Sequence, residues 1–233
     1  MSSYASVAAR WLLGASAHPG GASLTRYAAR LANVNAQSFV LDVAGGVGSS
    51  ADLLRAEMRA SVINVDIEAR SARAARARGV LTVRGDALEL PVRDAAVDVV
   101  LCECAMSTFP APSRAVAEMA RALAPGGRLI LTDVVAELDL RRAHPAVDAG
   151  VRRLSAPLPA VGYADLIARA RLELVSQEAR PDDAREVIDR LLKRLRPLAA
   201  VPAVHRLRTT LREARTAVDE GSLGYTLLIA SKP

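Results

Sequence analysis

The sequence predicts an α/β fold in which a mostly parallel sheet is covered by helices on both faces. Short apolar runs alternate with helical stretches from residue 39 onward, and the turns between them are short. These runs are apolar throughout, as strands must be when both faces of a parallel sheet are buried. The length of 233 residues suits one domain of ordinary size.

The chain up to Val134 supplies five predicted strands, which are Phe39–Val43, Ser61–Val65, Val80–Arg84, Val97–Cys102 and Arg128–Val134. Helices are predicted between them at Ser49–Ala60, Ala69–Arg78 and Ser113–Leu123. The first helix begins with Ser49 and Ser50, either of which can serve as its N-cap. The second and third are followed by glycine or proline, which are typical residues at helix ends.

The chain beyond Val134 is less regular. Residues 135–160 contain three prolines and little periodicity, which predicts a loop or broken helices. Residues 183–220 are predicted to be largely helical, with interruptions near Pro197 and Pro202. One helix and two strands complete the predicted fold, namely Gly162–Arg171, Leu172–Ser176 and Tyr225–Ala230.

The predicted elements indicate one domain with an N-terminal addition. Residues 1–35 are expected to form one or two helices, interrupted at the turn His18-Pro19-Gly20-Gly21. Residues 36–233 are expected to form the domain itself. Within it, we interpret segments 135–165 and 183–220 as insertions that contact a substrate or a partner.

Composition and charge argue against several classes of protein. No apolar run approaches the ~18 residues that a membrane span needs, so no membrane insertion is expected. The net charge is +6, but only Lys193 and Lys232 are lysines and aromatic residues make up only 3% of the chain, so nucleic-acid binding is not expected. Cys102 and Cys104 are the only cysteines and cannot form a disulfide framework, which favours a cytoplasmic protein.

The glycine-rich turn after the first strand, in LDVAGGVGSS, carries the main functional signal. Gly46 and Gly48 allow positive φ angles and close approach of a ligand, and the helix that follows presents free N–H groups. Asp66 ends the next strand, where a carboxylate can accept hydrogen bonds from ribose hydroxyls. These features predict a nucleotide-like ligand at the carboxyl edge of the sheet.

Two classes of ligand fit this pattern. Gly46-x-Gly48-x-x-Ala51 followed by Asp66 also matches the dinucleotide fingerprint of NAD-dependent oxidoreductases. Asp42, however, would point an acid at a pyrophosphate, whereas it suits a ligand that carries an ammonium group. Asp86, after the third strand, can accept a hydrogen bond from an adenine amino group. A cationic adenosine derivative therefore fits better, and an NAD-dependent oxidoreductase is the less favoured alternative.

From Phe39 to Val134 the sequence resembles the class I S-adenosylmethionine-dependent methyltransferases. The pieces that match are, in order, VLDVAGGVG, VINVD, RGDALELP, VDVVLCECA and LAPGGRLILTDV. The resemblance implies a Rossmann-like sheet of seven strands whose last strand is antiparallel, with S-adenosylmethionine as the cofactor. Ala44 stands where the family more commonly has glycine.

The resemblance also implies roles for residues of the site. Small residues of the turn would lie against the methionine end of the cofactor, and Asp42 would organise the turn. Asp66 would bind the ribose, and Asp86 with Ala87 would bind the adenine ring. The full set predicted to bind the cofactor is Asp42, Ala44, Gly45, Gly46, Gly48, Asp66, Ile67, Asp86, Ala87 and Cys102.

The methyl acceptor is less determined by the sequence. The segment from Cys102 to Pro110 resembles the arsenite methyltransferases, and Cys104 falls at the position of a metalloid-binding cysteine in that group. Two cysteines cannot form a cage of three thiolates within one chain. Two interpretations stay open: the acceptor is a soft thiol or metalloid, or both cysteines only fill space at the strand end. No resident metal is expected.

Cys104, Glu103 and His18 are the candidate catalytic residues. Glu103 is interpreted as a base or as the group that orients the amino group of the cofactor. His18 lies on a tight turn whose segment would close over the cofactor as a lid. His144 and Tyr163 are further candidates, for which capping or packing is the alternative.

The sequence thus predicts a cytoplasmic enzyme that transfers a methyl group from S-adenosylmethionine to a small-molecule acceptor by in-line displacement. The alternative of another class is a catalytically inactive protein that binds S-adenosylmethionine and acts as a partner or regulator. A homodimer is a further hypothesis, because segment 183–220 carries the leucines Leu191, Leu192, Leu195, Leu207 and Leu211.

Overall fold

The computed structural model describes residues 18–233, and within that range seven strands form one sheet. The strands are β1 (Phe39–Val43), β2 (Ser61–Asp66), β3 (Thr82–Arg84), β4 (Val97–Glu103), β5 (Leu123–Ala136), β6 (Glu173–Ala179) and β7 (Leu223–Ser231). Their order across the sheet is β3-β2-β1-β4-β5-β7-β6. Neighbouring strands are parallel except where β7 pairs with β5 and β6, which confirms the Rossmann-like α/β fold with an antiparallel last strand.

Helices connect the strands across both faces of the sheet. In the described range they are α1 (Gly21–Leu31), α2 (Ser49–Met58), α3 (Ala69–Ala77), α4 (Pro112–Ala122), α5 (Leu140–Ala143), α6 (Pro145–Arg152), α7 (Ala160–Arg169), α8 (Pro181–Arg194) and α9 (Pro202–Asp219). Short 3-10 turns follow β4 at Met106–Thr108 and α8 at Arg196–Leu198. Proline stands in the first turn of α4, α6, α8 and α9, where its missing N–H and fixed φ are tolerated.

Successive residues of a strand point to opposite faces, so the sheet has a hydrophobic core on each side. On β1, Val40 belongs to one core, and Leu41 and Val43 belong to the other. The α1 face is covered by α1, α2, α3, α8 and α9 through residues such as Leu24, Leu54, Ala75, Ile188 and Ala217. The α4 face is covered by α4 and α7 through Val116, Met119, Leu166 and Ile167.

The predicted elements are present, with shifts at their ends. β5 begins at Leu123 instead of Arg128, because Leu123 already pairs with Val97 of β4. The N-cap of α2 is Gly48, so the prediction of a serine cap was wrong. Residues 135–160 contain the short helices α5 and α6, as the prediction of broken helices allowed.

The N-terminal helical segment is described only in part, since residues 1–17 lie outside the described range. Its helix α1 packs into the α1 face through Leu24, Ala28 and Ala29, on the same core as Val40 of β1. α1 therefore shares a core with the sheet, and the domain boundary at residue 35 stays a prediction.

Most leucines of the hypothetical dimer face pack internally. Leu195 is buried, and Leu192 and Leu211 contact the core of the α1 face, whereas Leu207 is exposed. The homodimer stays a prediction that this surface does not strengthen. Between residues 18 and 233, no helix has both the length and the apolarity that crossing a bilayer requires.

Candidate active site

The carboxyl ends of β1, β2 and β4 bring three acids to one edge of the sheet. Asp42 lies near the end of β1, Asp66 ends β2 and Glu103 ends β4. All three side chains are buried or nearly so. We call this edge, which also holds the turn between β1 and α2, the carboxyl edge.

The turn between β1 and α2 relies on left-handed backbone at three positions. The φ angles are 56° at Ala44, 58° at Gly46 and 74° at Gly48. Glycine adopts such angles without strain, whereas Ala44 is strained by its Cβ. A Cβ on Gly46 would meet no atom within 4 Å, so the turn is open on that side. Behind it, the Gly48 N–H donates to the Gly45 carbonyl over 2.9 Å and α2 begins.

Asp66 holds this turn in place. Its Oδ2 accepts a hydrogen bond from the Gly46 N–H at 2.9 Å, and its Oδ1 accepts one from the Glu68 N–H at 2.7 Å. Burial raises the pKa of Asp66, while these two N–H groups act in the opposite direction. Each carboxylate oxygen keeps a second lone pair, so Asp66 can still accept from ribose hydroxyls.

The predicted adenine contacts lie next to Asp66 in the fold. Asp86 is exposed in the turn after β3, where its Oδ1 accepts from the Leu88 N–H at 2.9 Å. Ala87 is buried in the α4 face, and Ile67 leaves a large apolar side chain exposed directly after Asp66. An acceptor and an apolar surface are therefore both present at this end of the turn.

Glu103 contacts side chains from three other parts of the chain. Its Oε1 accepts from the Thr25 hydroxyl at 2.8 Å, and its Oε2 accepts from the Ser50 hydroxyl at 2.5 Å. His18 Nε2 lies 3.4 Å from the same Oε2. Because Thr25 is on α1 and Ser50 is on α2, one carboxylate fastens both helices to the end of β4.

His18 is adjacent to Glu103, but both of its ring nitrogens have partners within the protein. Nδ1 lies 2.9 Å from the Pro19 carbonyl oxygen, to which it donates, and Nε2 lies near Glu103 and Thr25. Such an imidazole has no free nitrogen for a substrate. The arrangement favours a positioning role, and the catalytic roles of His18 and Glu103 stay predictions.

The two cysteines lie on opposite faces of the sheet. Cys102 is fully buried in the α4 face, whereas Cys104, beyond the end of β4 with φ 52°, packs against the α1 face. Burial raises the pKa of each thiol, and the charge of Asp133 raises it further. This geometry does not favour a pair of thiolates on one acceptor atom, and Cys102 contributes no exposed side chain to a cofactor.

Asp133 and Asn64 belong to the same edge and were missed from the sequence. Asp133, near the end of β5, accepts hydrogen bonds from the Ser107 N–H and hydroxyl, each at 2.7 Å. It thereby fixes the turn that follows β4, and burial raises its pKa to about 6. Asn64 is the register partner of Asp42 on β2. The sequence shows the acid in LTDV and the amide in VINVD, but it does not show that they contact Ser107 and Asp42.

The other candidates serve structure in the described part of the chain. His144 Nε2 lies 2.7 Å from Glu220, which joins the start of α6 to the end of α9. Tyr163 is buried and donates to the Val134 carbonyl at 2.8 Å. Among residues 18–233, no three histidine, cysteine or acidic side chains are grouped so that they could hold a metal ion.

Comparison with known proteins gives the family. Residues 41–131 match the family model described as a methyltransferase domain. The chain is also 30% identical over 226 aligned residues to Methyltransferase GfsG of Streptomyces halstedii, a match that covers 86% of this chain and 76% of that protein. The chain belongs to the class I S-adenosylmethionine-dependent methyltransferases. The NAD-dependent alternative is therefore wrong.

Other known proteins are similar to the central part of this methyltransferase or to its fold. It is 35% identical over 115 residues to the demethylmenaquinone methyltransferase of Deinococcus radiodurans, covering 46% of this chain and 48% of that protein. Its fold is similar to that of Haemonchus contortus phosphoethanolamine N-methyltransferase 2, solved with S-adenosylmethionine, with a TM-score of 0.82 and 16% identity. That likeness covers 99% of this chain and 58% of the other.

S-adenosylmethionine is the cofactor of this methyltransferase, and the residues of the carboxyl edge fit it. The turn is open at Gly46, where a side chain would fill the space, and the N–H groups at the start of α2 follow directly. Asp66 retains lone pairs for a diol, and Glu103 gives the edge the acidity that suits a cation. The assignment of individual residues to parts of the cofactor stays a prediction.

Proposed function

We propose that this methyltransferase acts on a small, mainly apolar acceptor that reaches the site past the segment following β5. The observation that carries the proposal is a set of exposed apolar side chains in that segment, which comprises residues 137–161. Leu138 is 89%, Leu154 is 59% and Val161 is 65% exposed. Large apolar side chains left in solvent near a site favour an apolar ligand.

The backbone ties this segment to the carboxyl edge. The Ala156 N–H donates to the Ser107 carbonyl, in the turn after β4, at 2.7 Å. The Ala136 N–H, at the end of β5, donates to the Leu158 carbonyl at 3.1 Å. The segment therefore lies beside the ends of β4 and β5, on the same edge as Glu103. This neighbourhood supports an acceptor site there.

The names of relatives support a small organic acceptor. The relative from Deinococcus radiodurans is named for the acceptor demethylmenaquinone, and the similar structure from Haemonchus contortus is named for the acceptor phosphoethanolamine. The arrangement of Cys102 and Cys104 supports an acceptor that these thiols do not hold, because they lie on opposite faces of the sheet with raised pKa values.

Bound S-adenosylmethionine supplies a methyl group on a positively charged sulfur, which a nucleophile can displace in line. The protein then has to bind the acceptor, orient it toward the methyl group and exclude water, and it forms no covalent bond itself. We assign the Ala44–Gly48 turn to the methionine end, Asp66 to the ribose, and Asp86 with Ala87 to the adenine. Glu103 orients the edge by holding α1 and α2.

The test is an acceptor panel combined with one pair of variants. Leu154→Glu should raise the KM for an apolar acceptor by about tenfold or more, since a charge would enter an apolar contact. The affinity for S-adenosylhomocysteine should not change. Leu81→Glu is the matched control, because Leu81 is 63% exposed but stands before β3 at the opposite edge.

Two results would contradict the proposal. One is an equal effect of the Leu81 and Leu154 variants on the acceptor KM. The other is a panel in which only strongly polar or thiol acceptors are methylated.

A further inference from the structure

Asp42 and Asn64 face each other directly beneath the glycine turn. They are register partners on the parallel strands β1 and β2, and they are 1% and 0% exposed. A Cβ on Gly45 would lie 2.2 Å from Asn64 Oδ1 and 2.3 Å from Asp42 Oδ2. Both oxygens therefore lie on the side of Gly45 to which a side chain would project, which makes them close neighbours.

Both of these oxygens lack a hydrogen-bond donor. In the described part of the chain, Asp42 Oδ2 and Asn64 Oδ1 are the buried side-chain atoms without a partner. Buried acceptors are almost always paired, and two adjacent acceptors repel each other. A single proton between them would satisfy both at once.

The amide of Asn64 is not the source of that proton. Its Nδ2 faces two acceptors, the Gly46 carbonyl and the Thr82 Oγ1, each at 3.4 Å. The Thr82 hydroxyl proton is directed to the Val80 carbonyl at 3.0 Å, so it is not available to Asn64. Turning the amide would place its oxygen against these acceptors. The proton therefore belongs to Asp42.

The groups around Asp42 favour a neutral carboxyl group. Burial raises the pKa of Asp42 well above its ordinary value, and the charges of Glu103 on β4 and Asp66 on β2 raise it further. The Ala51 N–H, in the first turn of α2, acts in the opposite direction. Cys102 packs on the opposite face of the sheet, and burial raises the pKa of its thiol too.

We propose that Asp42 is a neutral carboxylic acid that donates a hydrogen bond to Asn64, and that Asn64 is the positioning residue of the cofactor turn. Its Oδ1 accepts from Asp42, while its Nδ2 reaches the carbonyl of Gly46. One amide thus joins β1, β2 and the open side of the turn. This replaces the sequence-based expectation that Asp42 presents a charge to the ammonium group. The inference rests on the proposed placement of S-adenosylmethionine at this turn.

Calorimetric titration with S-adenosylhomocysteine separates the two interpretations of Asp42. Asp42→Asn keeps a donor toward Asn64, so the Kd should stay within about threefold of wild type. Asn64→Leu removes donor and acceptor together, so the Kd should rise by about tenfold or more. Thr82→Val is the matched control, because it removes the other partner of the amide and leaves the turn untouched.

Infrared spectroscopy of the ligand-free protein gives a second readout, because it reports the protonation state of Asp42 independently of any loss of stability in the variants. At pH 8, above the pKa of Asp133, wild type should show the carbonyl band of a protonated carboxyl group, and Asp42→Asn should lack it. This readout remains available if Asn64→Leu does not fold.

A tenfold loss of affinity in Asp42→Asn, or the absence of the band in wild type, would overturn the proposal. Failure of wild type to bind S-adenosylhomocysteine at millimolar concentration would instead sink the proposed placement of the cofactor. The infrared band would still report on Asp42 in that case, so the two failures are distinguishable.

Discussion

Replacing Asp66 by alanine should weaken cofactor binding by about ten- to hundredfold. The side chain is buried at the end of β2, and its two oxygens accept N–H groups at 2.9 Å and 2.7 Å. One of these belongs to Gly46, on the open side of the turn. The substitution therefore removes the predicted ribose acceptor and releases the turn at the same time.

The magnitude follows from the kind of bond that is lost. Hydrogen bonds to a charged group contribute about 1.5–3 kcal/mol, and each ~1.4 kcal/mol corresponds to a factor of ten in Kd. Release of the Gly46 N–H acts in the same direction, because an untied turn must be ordered again when the cofactor binds. The upper part of the range is therefore expected for alanine, and a smaller loss for Asp66→Asn, which keeps one acceptor.

Calorimetry with S-adenosylhomocysteine measures the effect, and Asp98→Ala is the matched control. Asp98 also accepts a backbone N–H, that of Phe39 at 2.8 Å, but at the amino edge of the same sheet. A Kd within about twofold of wild type for Asp66→Ala would refute the ribose assignment. A similar loss in Asp98→Ala would show that the effect comes from general destabilisation.

Three further predictions follow from the geometry. Gly45→Ala should lower the melting temperature and prevent cofactor binding, since its Cβ would lie 2.2 Å from a buried amide oxygen, whereas Gly224→Ala should be tolerated because nothing lies within 4 Å. Cys104→Ser should retain turnover, because burial disfavours a thiolate at this position, and loss of turnover in a folded Cys104→Ser protein would contradict this. Cys102→Ser should lower the free energy of unfolding by about 1–3 kcal/mol, because it buries a hydroxyl group in the α4 face. The pKa of Asp133 is raised to about 6 from 3.8, so its contribution to stability is fully present below about pH 4 and is lost as the pH rises through 6. When the pH is lowered from 7.5 to 5, the free energy of unfolding of wild type should rise by about 1.4 kcal/mol more than that of Asp133→Asn. Urea denaturation at both pH values measures this, and an equal change in the two proteins would contradict the prediction.

The sheet and the cofactor turn could be predicted from the sequence because local patterns encode them. Fully apolar runs identify the buried strands, and parallel strands place their carboxyl ends at one edge. The sequence alone therefore predicts Asp42, Asp66 and Glu103 near the turn. The limits of β5 were less accessible, because its first residues are strand only through their pairing with β4.

The contacts that organise the site could not be predicted, because they join distant parts of the chain. Thr25 donates to Glu103, which is 78 residues away, and no local pattern encodes that distance. Asn64 stands opposite Asp42 only because of the register between β1 and β2. Cys104 shows a third limit, since a spacing of two in a strand would place it on the face of Cys102. The positive φ beyond the strand end directs it to the other face.

The attachment of α1 and α2 to one carboxylate has a consequence for local unfolding. The amino end of α1 cannot leave the sheet without breaking a hydrogen bond to the group that also holds the start of α2. Both helix starts should therefore open as one cooperative unit, so that their amide hydrogens exchange with solvent at a common rate.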